Sequence, residues 1–73
     1  MAKKILIEEI RARLSNEIKN SGKSQIAIAK ELGISQQMIS CYVHGQKLPA
    51  IDTLSRLCKF LDVDTNYILC IDD

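Results

Sequence analysis

An all-α fold built from five short helices is predicted by three observations. Apolar residues recur at helical spacing in four separate segments, with no run of the strict alternation that marks a half-buried strand. The chain is 47% apolar but only 4% aromatic, so aliphatic side chains must build the core, as suits a small helical bundle. One Pro and three Gly leave few breaks inside the helices. At 73 residues the expectation is a single domain spanning 1–73.

The elements follow in order. Ile7, Ile10, Leu14 and Ile18 place the first helix roughly over residues 5–20. Ser21-Gly22 ends it, with the glycine free to take a left-handed cap. Ser24 is the expected N-cap of the second helix, its hydroxyl accepting a free backbone N–H. Leu32-Gly33-Ile34 is a tight turn, and Ser35 caps the third helix. Two helices crossing this closely need a small residue at the contact, which Ala29 supplies, and the turn needs a residue tolerant of positive φ, which Gly33 supplies. Ile28, Leu32, Ile34, Ile39 and Tyr42 then share one core, with Met38 also assigned to packing. Ile51, Leu54, Leu57, Cys58 and Leu61 stripe a fourth helix. Asp64 caps a short fifth, which is expected to return Tyr67 and Ile68 to the core.

Composition narrows the function. The net charge is only +1. Residues 1–47 nevertheless carry eight Lys/Arg against four Asp/Glu, and residues 48–73 carry two against five. This is either ordinary scatter in a small chain or a real polarity that offers phosphates a basic face. No apolar run approaches the roughly 20 residues that span a bilayer. Ile5-Leu6-Ile7 behind Lys3-Lys4 is too short for a signal sequence, so a cytoplasmic protein is expected, with no membrane partner. Cys41, Cys58 and Cys70 form no CxxC pair and have no histidine at ligand spacing. Neither a zinc site nor any other metal or cofactor is expected, and Cys58 falls on the apolar stripe. His44 is the single histidine and belongs to no nucleophile–base constellation, so an enzyme is not expected.

The segment Gln25–His44, QIAIAKELGISQQMISCYVH, carries the most information. Its offsets (Ala29, then Gly33 and Ile34, then Ile39 and Tyr42) resemble the helix-turn-helix of the lambdoid phage repressor and Cro family, also called XRE-type. Gly45-Gln46-Lys47-Leu48-Pro49 is similar to the loop after that family's recognition helix, and Asp52–Val63 and Asp64–Leu69 to its fourth and fifth helices. The resemblance implies a compact lambda-repressor-like DNA-binding domain that regulates transcription, by repression, as a stand-alone dimer on a palindromic operator. It departs from the family's usual pattern at Lys23, where an apolar residue often staples the second helix; at Ile26, where a polar residue is common; and at Ala50, where a Ser cap is frequent.

By the same resemblance Ser35, Gln36, Gln37 and Cys41 occupy base-reading positions, with Ser40 beside them. Glutamine pairs bidentately with adenine N6 and N7, which makes Gln36 the strongest candidate. Gln25 resembles the family's phosphate-binding glutamine, seated at a helix N-terminus whose amides attract anions. Lys47, with the loop amides of Gly45 and Gln46, is expected at a second phosphate. His44 either meets backbone phosphate or faces solvent. The apolar end Ile68-Leu69-Cys70-Ile71 makes Leu69 and Ile71 the expected homodimer surface, with Asp72-Asp73 solvated at its rim. The competing reading is a protein-interaction module that kept the fold and lost DNA binding, favoured by the low net charge and Ile26.

Overall fold

The computed structural model describes residues 6–71. Five helices follow in order: α1 (Leu6–Asn20), α2 (Gln25–Leu32), α3 (Gln36–Val43), α4 (Ile51–Leu61) and α5 (Thr65–Ile68), and no strand occurs among the described residues. The all-α expectation holds. The N-terminal residues before Leu6 and the Asp72-Asp73 end, for which a solvated rim was expected, lie outside the described residues.

Each helix starts and stops where local chemistry dictates. Ser24 Oγ accepts from Ala27 N at 3.0 Å and opens α2. Ser35 Oγ accepts from Met38 N at 3.1 Å and opens α3. Asp64 Oδ1 accepts from Asn66 N at 3.0 Å and opens α5. Such caps satisfy N–H groups that have no partner inside the helix. Ala50 opens α4 with no side-chain cap, as its methyl group requires. Between α2 and α3 the chain turns on Gly33, whose φ of 70° is left-handed; Ile34 N then donates to Ala29 O at 3.1 Å.

The core is mostly aliphatic, and among the described residues no charged one is buried in it. Leu14 and Ile18 of α1, Ile28, Ala29 and Leu32 of α2, Ile39, Tyr42 and Val43 of α3, Leu54, Leu57 and Cys58 of α4, and Ile68 of α5 are all buried. Ile34 and Met38 are half-buried against this cluster. Helix α3 lies on both α1 and α2, α4 backs α2, and α5 closes against α1 and α4.

One core expectation fails, at Tyr67, and two residues of the helical stripes lie outside the core. Ile51 is in phase with the α4 stripe yet 86% exposed, because it is the first residue of the helix and the stripe reaches a neighbour only from Leu54 onward. Ile7 is in phase with Leu14 yet 48% exposed, in the first turn of the described α1. Tyr67 is 44% exposed rather than packed inward: α5 has four residues, enough to turn one side chain into the core, and Ile68 takes that place. Tyr67 instead lies under Arg13, whose guanidinium sits 4.6 Å from the ring centroid.

Candidate nucleic-acid interface

The two central helices are held by side-chain struts from their neighbours. Ser15 Oγ of α1 donates to Val43 O, at the C-terminal end of α3, over 2.5 Å. Arg56 Nη2 of α4 donates to Leu32 O, at the C-terminal end of α2, over 2.9 Å. Each strut satisfies a carbonyl that the helix geometry leaves unpaired and fixes one helix end against the bundle. The spacing of apolar residues contains neither, because both join positions more than 20 residues apart through polar atoms. Lys23, which lacks the usual apolar staple, places its ammonium 5.2 Å from the Phe60 ring centroid of α4, a cation–π contact that links the start of α2 to the same helix.

With α3 anchored through Ile39, Tyr42 and Val43, its opposite side is open. Gln36 and Gln37 are exposed at its first turn, and neither side chain is engaged by the protein. Ser35 is exposed too, but its hydroxyl oxygen already accepts from Met38 N, which leaves it its O–H and one lone pair to offer. Ser40 is half-buried, with its hydroxyl 3.2 Å from His44 Nδ1. Cys41 is half-buried. Four of the five base-reading candidates thus lie on α3 and the fifth, Ser35, caps it, and the two glutamines are the most available polar groups. Burial, and secondarily the neighbouring Cys41, push the Tyr42 phenol above its ordinary value of 10.0, so the residue that anchors α3 is neutral at physiological pH.

The phosphate candidates divide into two groups, one at the start of α2 and one after α3. Gln25 is half-buried at the first position of α2. The backbone amides of Gln25 and Ile26 are not consumed by the Ser24 cap, whose bonds go to Ala27 N and Ile28 N. No acidic residue lies in the first turn of α2 or of α3, whereas α1 has Glu8 and Glu9 there and α4 has Asp52. An anion approaching α2 or α3 therefore meets the positive end of the helix dipole without a competing carboxylate.

His44, Gly45, Gln46 and Lys47 follow α3, and here one expectation is corrected. Gly45 N donates to Tyr42 O at 3.2 Å and Gln46 N to Cys41 O at 2.9 Å, a left-handed closure at Gly45 with φ of 71°. Both amides close α3 and are not free to cradle a phosphate. Gln46 and Lys47 remain exposed, so only their side chains are available. His44 Nδ1 lies 2.8 Å from Ser40 O, which assigns the ring proton to Nδ1; the exposed ring offers a phosphate a donor at Nε2 only as the imidazolium.

At the far end, Ile71 is 61% exposed, while Leu69 is half-buried against the core. The two expected dimer residues therefore differ: Ile71 presents a free apolar side chain and Leu69 only part of one. Among the described residues no group of His, Cys, Asp or Glu could hold a metal ion, and no helix is long and apolar enough to cross a membrane.

A family model described as helix-turn-helix matches residues 14–68, which spans all of α2 to α5 and the second half of α1. None of the curated proteins or solved structures compared matches the chain. With the αL turn at Gly33, the capped third helix and its free glutamines in place, the match is to the very segment that forms the motif, and the chain belongs to the XRE-type, Cro/C1-like helix-turn-helix family of double-stranded-DNA-binding regulators.

Proposed function

We propose that this chain is a sequence-specific transcriptional repressor that reads its operator in the major groove through α3. The observation that carries the reading is the pair Gln36 and Gln37, exposed and unengaged at the first turn of a helix whose other side is locked into the core. Gln36 is the main base reader, and Gln37, Ser35, Ser40 and Cys41 shape the rest of the contact. A helix N-terminus with amide side chains suits adenine edges, at about 1–3 kcal/mol of discrimination for each good bidentate pair. The α2 N-terminus with Gln25 holds one phosphate, and Lys47, assisted by the side chains of Gln46 and His44, holds another.

The repressor works in the cytoplasm as a homodimer on a palindromic site. A single module of this size buries little DNA surface, and two recognition helices one turn of DNA apart gain affinity without new chemistry. Exposed Ile71, with Tyr67 and the accessible part of Leu69, supports an isologous contact at the C-terminal end. Exposed Ile26, at 56%, is the observation that favours the alternative, a protein-interaction module. Selection of bound fragments from a random duplex library tests both. Enrichment of a two-fold symmetric site with half-sites one helical turn apart supports the reading; recovery of unenriched fragments, with binding that ignores salt, favours the interaction module.

A further inference from the structure

We propose that Arg11, on α1, is a backbone-phosphate ligand of the same interface, acting beside Lys47 at the loop that follows α3. The proposal rests on the DNA-binding reading above. Arg11 Nε is buried and has no hydrogen-bond partner, the one side-chain atom of this kind among the described residues. The residue as a whole is half-buried, so its guanidinium carries a desolvated Nε in a side chain that is partly exposed. A charged group in this state is costly unless something completes its hydrogen bonds.

Its neighbour on the same helix shows what completion looks like. Arg13 Nε meets Glu9 Oε2 at 3.0 Å, Arg13 Nη1 donates to Tyr67 O at 2.7 Å, and its guanidinium covers the Tyr67 ring. That arginine is spent on holding α5. Arg11 takes no part in any such network, although Glu8 stands three residues before it on α1 and the Ser15 hydroxyl, four residues on, is already given to Val43 O.

Its place in the fold gives the unmet group a direction. A Cβ built on Gly45 would lie 3.9 Å from Arg11 Cβ, so Arg11 leaves α1 beside Gly45, at the head of the loop that follows α3. The amides of Gly45 and Gln46 are consumed in closing α3, which leaves the loop with no backbone donors at those two residues for the phosphate that Lys47 would reach. A guanidinium supplies them: it is planar, permanently charged and carries a fork of N–H groups that matches two phosphate oxygens. The ligand is a DNA backbone phosphate.

The test is the salt dependence of binding to a fluorescent random-sequence duplex, followed by anisotropy from 50 to 300 mM NaCl, for the parent chain, Arg11→Met, Arg11→Lys and Lys59→Met. Methionine keeps the apolar stem and removes the charge. Loss of one phosphate contact lowers the slope of log K against log salt by about 0.9, which near 0.1 M salt is about an 8-fold weaker affinity for every sequence. Arg11→Met is expected to show this change with unaltered helix content by circular dichroism, Arg11→Lys to keep the slope while losing some affinity, and exposed Lys59→Met to match the parent. A merely structural arginine would leave the slope alone and lower the thermal midpoint instead. An Arg11→Met chain with the parent's slope overturns the proposal while the parent's own salt dependence still supports DNA binding. A parent chain with no salt-dependent binding overturns the DNA reading itself, and this proposal with it. Arg11→Gln gives the same reading should the methionine variant not fold.

Discussion

Replacing Gly33 by alanine isolates the conformational requirement of the turn between α2 and α3. Gly33 has φ of 70°, and a Cβ built there meets nothing within 4 Å. Steric clash is therefore absent and the whole cost is that of holding a non-glycine residue in the left-handed region, about 1–2 kcal/mol. For a domain of this size each kcal/mol lowers the melting temperature by about 4–8 °C, so Gly33→Ala is expected to melt about 4–16 °C below the parent. Gly33→Asn should lose much less, because asparagine tolerates this conformation through its own backbone hydrogen bonding. Thermal unfolding followed at 222 nm measures both. Equal losses for Ala and Asn would mean that the side-chain volume, not the backbone angle, sets the cost. No loss for Ala would mean that the turn does not need a left-handed residue.

Three further outcomes follow from the same structure. Ala50→Ser adds the side-chain cap that α4 lacks and should raise stability by about 0.5–1 kcal/mol, read as a higher urea midpoint at unchanged m-value. Arg56→Ala removes the bond to Leu32 O and should lower stability by about 1 kcal/mol, and because that bond fixes the end of α2, hydrogen exchange of the amides in the Gly33 turn should accelerate. Tyr42 is neutral when folded, with its phenol raised above its ordinary value, so its contribution is complete below about pH 10 and is lost as the pH rises through the folded value; denaturation midpoints should fall above pH 10, and Tyr42→Phe should lessen that fall.

Most of the fold is legible in the sequence because its determinants are local. Ser24, Ser35 and Asp64 cap the helices they precede, and Gly33 and Gly45 take the left-handed angles that end α2 and close α3. Periodicity locates Leu14, Ile28, Ile39, Leu57 and Ile68 in the core, but it gives only the direction of a side chain along its helix. It does not say how far a neighbouring helix extends, and so Ile7 and Ile51 share the phase of buried stripes and yet are exposed. The candidate interface divides in the same way. The glutamines of α3 are visible from their position after a capping serine. The struts Ser15–Val43 and Arg56–Leu32, and the position of Arg11 behind Gly45, arise from residues far apart in the chain and carry no local signal. The loop amides were expected to be free because Gly45 and Gln46 read as an open loop; their use in closing α3 depends on carbonyls that only the finished helix presents.

The most direct test of the account is the ratio of affinities for the selected operator and for random duplex, measured at one salt concentration for the parent chain and for Gln36→Ala. Base reading by Gln36 predicts that the ratio falls about 5- to 150-fold, the equivalent of 1–3 kcal/mol, with binding to random duplex unchanged. Equal weakening on both duplexes would contradict it and would place Gln36 on the DNA backbone instead.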